Sequence, residues 1–232
     1  MPPSPDHLVA ARPRCVLITG GTGYLGRALI PALLTRGHRV RALVRPGSEK
    51  KLPAGAEPFV GDPLRAADVE RALTGGDTIV HLVGVPKPSP AKARQFRAID
   101  LVSIQATVTA ASRVQTRRPH LVYLSVAQPA PVMKAYAAVR REGEALISSA
   151  GLNATFLRPW YVLGPGHRWP AILLPIYALL KLIPVTRDGA TRLGFVTLER
   201  MVRALVQAVE QPALGIQIME VPAIALPPAV TR

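Results

Sequence analysis

A phenol and a guanidinium stand four residues apart in the stretch KAYAAVRREGEAL, Lys134 to Leu146: they belong to Tyr136 and Arg140. On a helix this spacing puts both on one face, so the cation would lie beside the phenol. A phenol so placed is equipped to exchange a proton with the oxygen of a carbonyl or alcohol. The same spacing also suits an ordinary amphipathic helix, in which Arg140 pairs with Glu144 four residues on. Lys134 is two residues before Tyr136, which on a helix is a different face. Both readings of the Tyr136/Arg140 pair stay open at this level.

A second constellation is TGGTGYLG, made of Thr19, Gly20, Gly21, Thr22, Gly23, Tyr24, Leu25 and Gly26. Gly21, Gly23 and Gly26 fit G-x-G-x-x-G, and Gly20, Gly23 and Gly26 fit G-x-x-G-x-x-G. Glycines at this spacing allow a tight turn, close approach of the backbone to a pyrophosphate, and packing of the following helix on the sheet. The amides opening that helix then point at the phosphates. The pattern is informative only between a strand and a helix, and both flanks fit: RCVLITG reads as a buried strand and YLGRALIPALLTRG as a helix ending on Gly37. About 20 residues past such a loop, an NAD site places an acid on the ribose 2′-hydroxyl. Here ALVRPGS offers Arg45 and no acid before Glu49. An arginine suits a 2′-phosphate, so NADP(H) is favoured over NAD(H). The alternative is an arginine facing water.

The elements that must position these groups follow in series. Further strands are expected at 38–45, 56–62, 77–84, 120–126 and 153–159, with helices over 67–75, 98–114 and 134–151. RLGFVTLERMVRALVQAVE reads as a short strand running into a helix, and GIQIMEV as a last strand. Alternating strands and helices give βαβ units and a parallel sheet covered on both faces. The fold class is therefore α/β, a doubly wound parallel sheet of the NAD(P)-binding Rossmann type. One domain over 1–232 is expected, with a short lead-in at 1–13 and a C-terminal extension at 160–232.

Composition bounds the rest. A chain of 232 residues that is 49% hydrophobic can bury one sizeable core. The single cysteine, Cys15, excludes an internal disulfide framework and a cysteine-rich metal site, and no metal is expected. The N-terminal MPPSPDHLVAARPRC has no apolar core of a secretory signal, so a cytoplasmic location is expected. The formal charge of +15 favours anionic partners. The basic residues are scattered and the aromatics few, so no nucleic acid is expected as a partner.

With these motifs in view, the chain resembles the extended and atypical short-chain dehydrogenases/reductases, near their NmrA-like and epimerase-like members. VLITGGTGYLGRALIPALLTRGHRVRALVR carries the resemblance, which continues through FVGD, DTIVHLVG, LVYLSV, LRPWYVLGPG and GFVTLERMVRALVQAVE. It implies an adenine contact for Asp62 and a cofactor wall at His81 to Gly84, including Leu82, Val83 and Gly84. It implies a catalytic role for Ser125 and Tyr136, and puts Arg140 where the family has the lysine of Y-x-x-x-K. Arg158, Pro159 and the residues after them would run beside the nicotinamide and the substrate pocket. In the complete family site the lysine also holds the nicotinamide ribose and joins a proton relay. Arginine keeps the charge but is broad, planar and unable to lose a proton. The expected activity is oxidoreductase or isomerase-type chemistry on an apolar small molecule, with a nicotinamide dinucleotide as cofactor. The rival is a non-catalytic NADP(H)-binding redox sensor or assembly subunit with a protein partner.

One stretch stands apart, WPAILLPIYALLKLIPV, Trp169 to Val185. It is shorter than the ~20 residues that span a bilayer, and prolines interrupt it. Three readings compete: a lid over an apolar substrate, a buried helix of the extension, or peripheral attachment to the inner face of a membrane aided by positive charge.

Overall fold

The computed structural model describes residues 12–114, 117–165 and 193–226. Seven parallel strands form its main sheet, in the order β3-β2-β1-β4-β5-β6-β9. They are β1 (Cys15–Thr19), β2 (Arg39–Val44), β3 (Glu57–Val60), β4 (Thr78–His81), β5 (His120–Leu124), β6 (Ala154–Arg158) and β9 (Ile216–Glu220). The chain runs outward from β1 through β2 to β3, then crosses back to β4 on the other side of β1. That reversal is the switch point at which doubly wound sheets open a crevice beyond their strand ends.

Side-chain alternation along the strands divides the core in two. Leu17 of β1 packs into one cluster with Ile79, Leu121, Tyr123 and Phe156. Val16 and Ile18, its neighbours in sequence, pack into the other with Val80, Val122 and Leu157. The first face is covered by α2 (Ala66–Leu73), α4 (Val102–Arg113) and α5 (Lys134–Ser149). The second is covered by α1 (Tyr24–Thr35) and α6 (Leu198–Glu210), with α7 (Val221–Ala225) beside α6. Strands buried on both faces read as continuous apolar runs, which is why they are visible in the sequence.

Two local features go beyond the expected pattern. The helix expected over 98–114 starts earlier and is composite: a short α3 (Ala93–Gln95), a π-helical turn (Phe96–Leu101), then α4. In addition, β7 (Tyr161–Leu163) pairs in parallel with β8 (Phe195–Thr197) as a separate two-stranded sheet. Thr197 then caps α6, accepting the amide of Arg200. The apolar stretch Trp169 to Val185 lies outside the described residues.

Candidate functional site

The glycine loop leaves β1 at the switch point. Gly20 has φ +78, and a Cβ there would stand 2.8 Å from the carbonyl carbon of Leu82. A Cβ on Gly26 would stand 2.6 Å from the Gly20 oxygen and the Gly21 backbone. The loop therefore lies flat against the end of β4 and under the first turn of α1, with no room for side chains. The amide of Gly23 donates to the Gly20 carbonyl at 3.0 Å. Gly23 caps α1 without a side-chain acceptor, and the first turn holds no acid. The opening amides thus keep donors for an anion. These bare glycines and uncapped amides fit a dinucleotide pyrophosphate.

Thr19 and Leu82 are joined across the switch point: the Leu82 amide donates to the Thr19 carbonyl at 3.0 Å. Below them lies a buried polar knot. The Nδ1 of His81 is 3.1 Å from the hydroxyls of both Thr19 and Thr107, and its Nε2 is 3.2 Å from that of Ser103. Ser103 donates its own proton to the Asp100 carbonyl and Thr107 donates its proton to the Ser103 carbonyl, which leaves both hydroxyls as acceptors toward the imidazole. Burial first, then the Arg140 charge, push the His81 pKa down to about 3, so the imidazole is neutral. This knot ties the base of the glycine loop to β4 and α4.

Arg45 and Asp62 follow Val44 and Val60, which pair across β2 and β3. Arg45 is exposed, and among the described residues it forms no ion pair. The carboxylate of Asp62 accepts the Leu64 amide at 2.9 Å, and its own amide donates to Asp68. That amide and the Arg71 guanidinium hold the Asp68 carboxyl below its usual range.

On the opposite side of the switch point, Ser125 follows β5. Its amide donates to the Leu157 carbonyl at 2.8 Å. Its hydroxyl is buried and has no partner among the described residues. Pro159 is buried, and its carbonyl accepts the Ala127 amide at 3.0 Å, binding the end of β6 to the loop that leads into α5. Tyr136, in the first turn of α5, meets Phe96 edge-on at 5.2 Å, and the Arg140 guanidinium lies 5.1 Å from its ring centre. Tyrosine and arginine thus share a face, as their spacing predicts.

The expected alternative for Arg140, a salt bridge to Glu144, is corrected by the structure. Arg140 is buried and pairs with Asp100 at 2.7 Å. It also donates to the carbonyls of Leu124 at 3.0 Å and Val83 at 3.3 Å. Its Nε and the nearby Tyr123 hydroxyl are electrostatic neighbours, but neither has hydrogen-bond geometry. Burial works against its charge, yet the neighbouring phenols of Tyr136 and Tyr123 and the Asp100 carboxylate raise its pKa. Glu144 is taken by Arg158 in a bidentate pair of 2.9 and 2.6 Å, and Arg158 also reaches Glu220 at 2.9 Å. An i,i+4 pair at a surface contributes only ~0.5 kcal/mol. The buried, bidentate geometry from β6 outweighs it.

Asp100 is the site residue that sequence reasoning missed. It is buried, its pKa is raised by burial with Arg140 opposing, and it sits in the π-helical turn. No local motif marks it, because its partner is 40 positions away. The buried histidine had a faint signal, a polar residue inside the apolar run DTIVHLVG. Among the described residues no group of three His, Cys, Asp or Glu side chains could hold a metal. No described helix is long and apolar enough to cross a membrane.

Comparison with known proteins bears on family and fold. The sequence pattern of a family described as "NAD dependent epimerase/dehydratase family" matches residues 16–221. A ceramide reductase of Caulobacter vibrioides is 29% identical over 204 residues, 87% of this chain and 62% of that protein. A 4-hydroxy-2-methyl-3-oxo-4-farnesyl-3,4-dihydroquinoline-1-oxide ketoreductase of Stigmatella aurantiaca is 30% identical over 169 residues, 63% of this chain and 50% of that protein. The chain thus spans less than two thirds of either relative's length. Among solved structures, the Bordetella bronchiseptica enzyme WbmH in complex with NAD+ superposes with a TM-score of 0.67 at 22% identity, covering 90% of this chain and 76% of that one. That likeness is one of fold.

Proposed function

The chain belongs to the NAD dependent epimerase/dehydratase family, and from that premise we propose that it is an oxidoreductase using NADP(H) to interconvert a ketone and an alcohol on an apolar, lipid-like molecule. The observation that carries this reading is the buried, unpartnered hydroxyl of Ser125 at the end of β5. A buried hydroxyl without a partner costs about 1–3 kcal/mol, and a substrate oxygen would satisfy it. The two curated relatives are named as reductases, one of a ceramide and one of a farnesyl-bearing heterocycle. Those names support an apolar substrate and a redox reaction, and they speak against a non-catalytic regulator.

The reduced dinucleotide, when bound, supplies a hydride to the carbonyl carbon. The chain does the rest. Gly20, Gly23, Gly26 and the first amides of α1 receive the pyrophosphate, with Thr19, Gly21, Thr22, Tyr24 and Leu25 forming the turn. Arg45 receives the 2′-phosphate that distinguishes NADP(H), and Asp62 borders the adenine. Leu82, Val83, Gly84 and Pro159 wall the nicotinamide half. Ser125 orients the substrate oxygen, and the Tyr136 phenol gives that oxygen its proton as the alcohol forms. In the reverse direction the phenol takes the proton back.

The test is a pair of titrations followed by turnover. The protein should bind NADPH more tightly than NADH, and should oxidise NADPH in the presence of a long-chain ketone dispersed in detergent. Absence of binding of either dinucleotide at millimolar concentration would remove the reading at its base. Binding without turnover across ceramide-type, steroid and isoprenoid ketones would leave a nucleotide-binding protein and defeat the oxidoreductase.

A further inference from the structure

The family resemblance puts Arg140 where a cation would hold a bound ribose, yet its two terminal nitrogens are already committed. Nη1 holds the carbonyl of Leu124, the residue before Ser125. Nη2 holds the carbonyl of Val83 and the Oδ1 of Asp100. The other oxygen of Asp100, Oδ2, accepts the amide of Val85 at 3.0 Å. Between Val83 and Val85 stands Gly84, where a Cβ would run into Nη2 of Arg140 and lie 3.3 Å from Oδ1 of Asp100. Side-chain exposures of 3% for Arg140 and 0% for Asp100 leave neither group open to a ligand. An arginine keeps its proton in a protein, so Asp100 is its counter-charge.

The ion pair therefore grips three consecutive residues from behind, through a carbonyl, a glycine without a side chain, and an amide. It grips the end of β5 as well. In the nucleotide site proposed above, these segments stand on either side of the nicotinamide half. Asp100 is carried to this place by the π-helical turn, a distortion frequent at functional sites.

We infer that Asp100 and Arg140 act as one positioning unit, a buried ion pair that sets the Val83–Gly84–Val85 wall and the Ser125 strand end, and that neither touches the cofactor. The inference rests on the nucleotide site proposed above. It assigns Asp100 a role and turns Arg140 from a ribose ligand into part of a frame. A lysine would not substitute, because one ammonium nitrogen lacks the spread of the guanidinium fork that spans Leu124, Val83 and Asp100.

The experiment compares NADPH with 2′,5′-ADP, which carries only the adenylate half, as ligands of the wild type, Asp100→Asn, Arg140→Gln and the double variant Asp100→Asn/Arg140→Gln. Each single variant should bind NADPH about tenfold more weakly, as expected when one partner of a buried pair is lost. Affinity for 2′,5′-ADP should stay within about twofold, because the glycine loop is untouched. The double variant should lose no more than Asp100→Asn alone, since the two residues act as a unit. Equal losses for both ligands would reduce the pair to general stability and overturn the inference. Unchanged NADPH binding, or losses that add in the double variant, would overturn it too.

Hydrogen exchange in the wild type covers variants that do not fold. The Val85 amide should be protected in the free protein and protected further by NADPH but not by 2′,5′-ADP. Rapid exchange of that amide would sink the clamp. A wild type that binds neither ligand while Val85 stays protected would instead indict the nucleotide site.

Discussion

The two sides of the switch point are built from different materials. At the end of β1 the proposed binding surface is backbone, with Gly20, Gly23 and Gly26 and the uncapped amides of α1. At the ends of β4 and β5 it is side chains braced by buried charge, with Arg140 and Asp100 behind the wall. A backbone surface needs only the right residues in a row. A braced surface needs residues from four places in the chain to arrive together. The first tolerates almost no added atom, whereas the second tolerates no lost partner.

Four changes would separate these two sides. Tyr136→Phe should cost the most, lowering kcat about 100- to 10,000-fold, the range for loss of a general acid-base group. NADPH affinity should change by less than about twofold, since the nucleotide is held elsewhere. Steady-state kinetics beside a binding titration would show it, and full activity in that variant would take Tyr136 out of the mechanism. Gly26→Ala should do the reverse. Its Cβ would press on the loop backbone at 2.6 Å, an overpacking that costs about 1–3 kcal/mol. Affinity for NADPH and for 2′,5′-ADP should fall together, by roughly 10- to 100-fold.

Arg45→Ala is smaller and more selective. A charge-assisted hydrogen bond contributes about 1.5–3 kcal/mol, so NADPH binding should weaken at least about tenfold while NADH binding holds. If both weaken equally, Arg45 does not read the 2′-phosphate.

The last test reads stability rather than binding or turnover, and it concerns pH. Burial first of all depresses the His81 pKa to about 3, and that of His120 to about 4. In the unfolded chain both titrate near 6.5. Between these values the unfolded state binds more protons, so each histidine contributes stability that is whole above pH 6.5. That contribution is lost as pH falls, with a limiting slope of about 1.4 kcal/mol per pH unit. Asp100, with its raised pKa, works in the opposite sense. Urea unfolding from pH 7 to pH 4 should show the decline, and His120→Asn should flatten it.

How legible the site was follows the same division. The glycine loop stood in the sequence because its residues are contiguous, and the strands and helices flanking it gave their apolar periods. Ser125 and Tyr136 were legible through resemblance, and the structure puts the one at the end of β5 and the other in the first turn of α5. Arg140 was noticed for its type, and neither of the readings left open named its partner, Asp100. Its i+4 neighbour Glu144 is the nearest carboxylate along the helix, but α5 buries both residues, and β6 delivers Arg158 to Glu144. Asp100 was invisible because its meaning depends on the order in which strands lie side by side. No spacing rule along one segment contains that order.

The ion pair also bears on the sequence of events in folding. Arg140 reaches Leu124 across 16 positions, Asp100 across 40 and Val83 across 57. The β1–α1–β2 unit, by contrast, is contiguous from Cys15 to Val44. Contacts that close long loops carry a larger entropic cost and form later. The turn of the phosphate cradle can thus be shaped early, while its seat against β4, where Thr19 meets His81 across 62 positions, and the wall beside Ser125 both wait for the sheet to assemble.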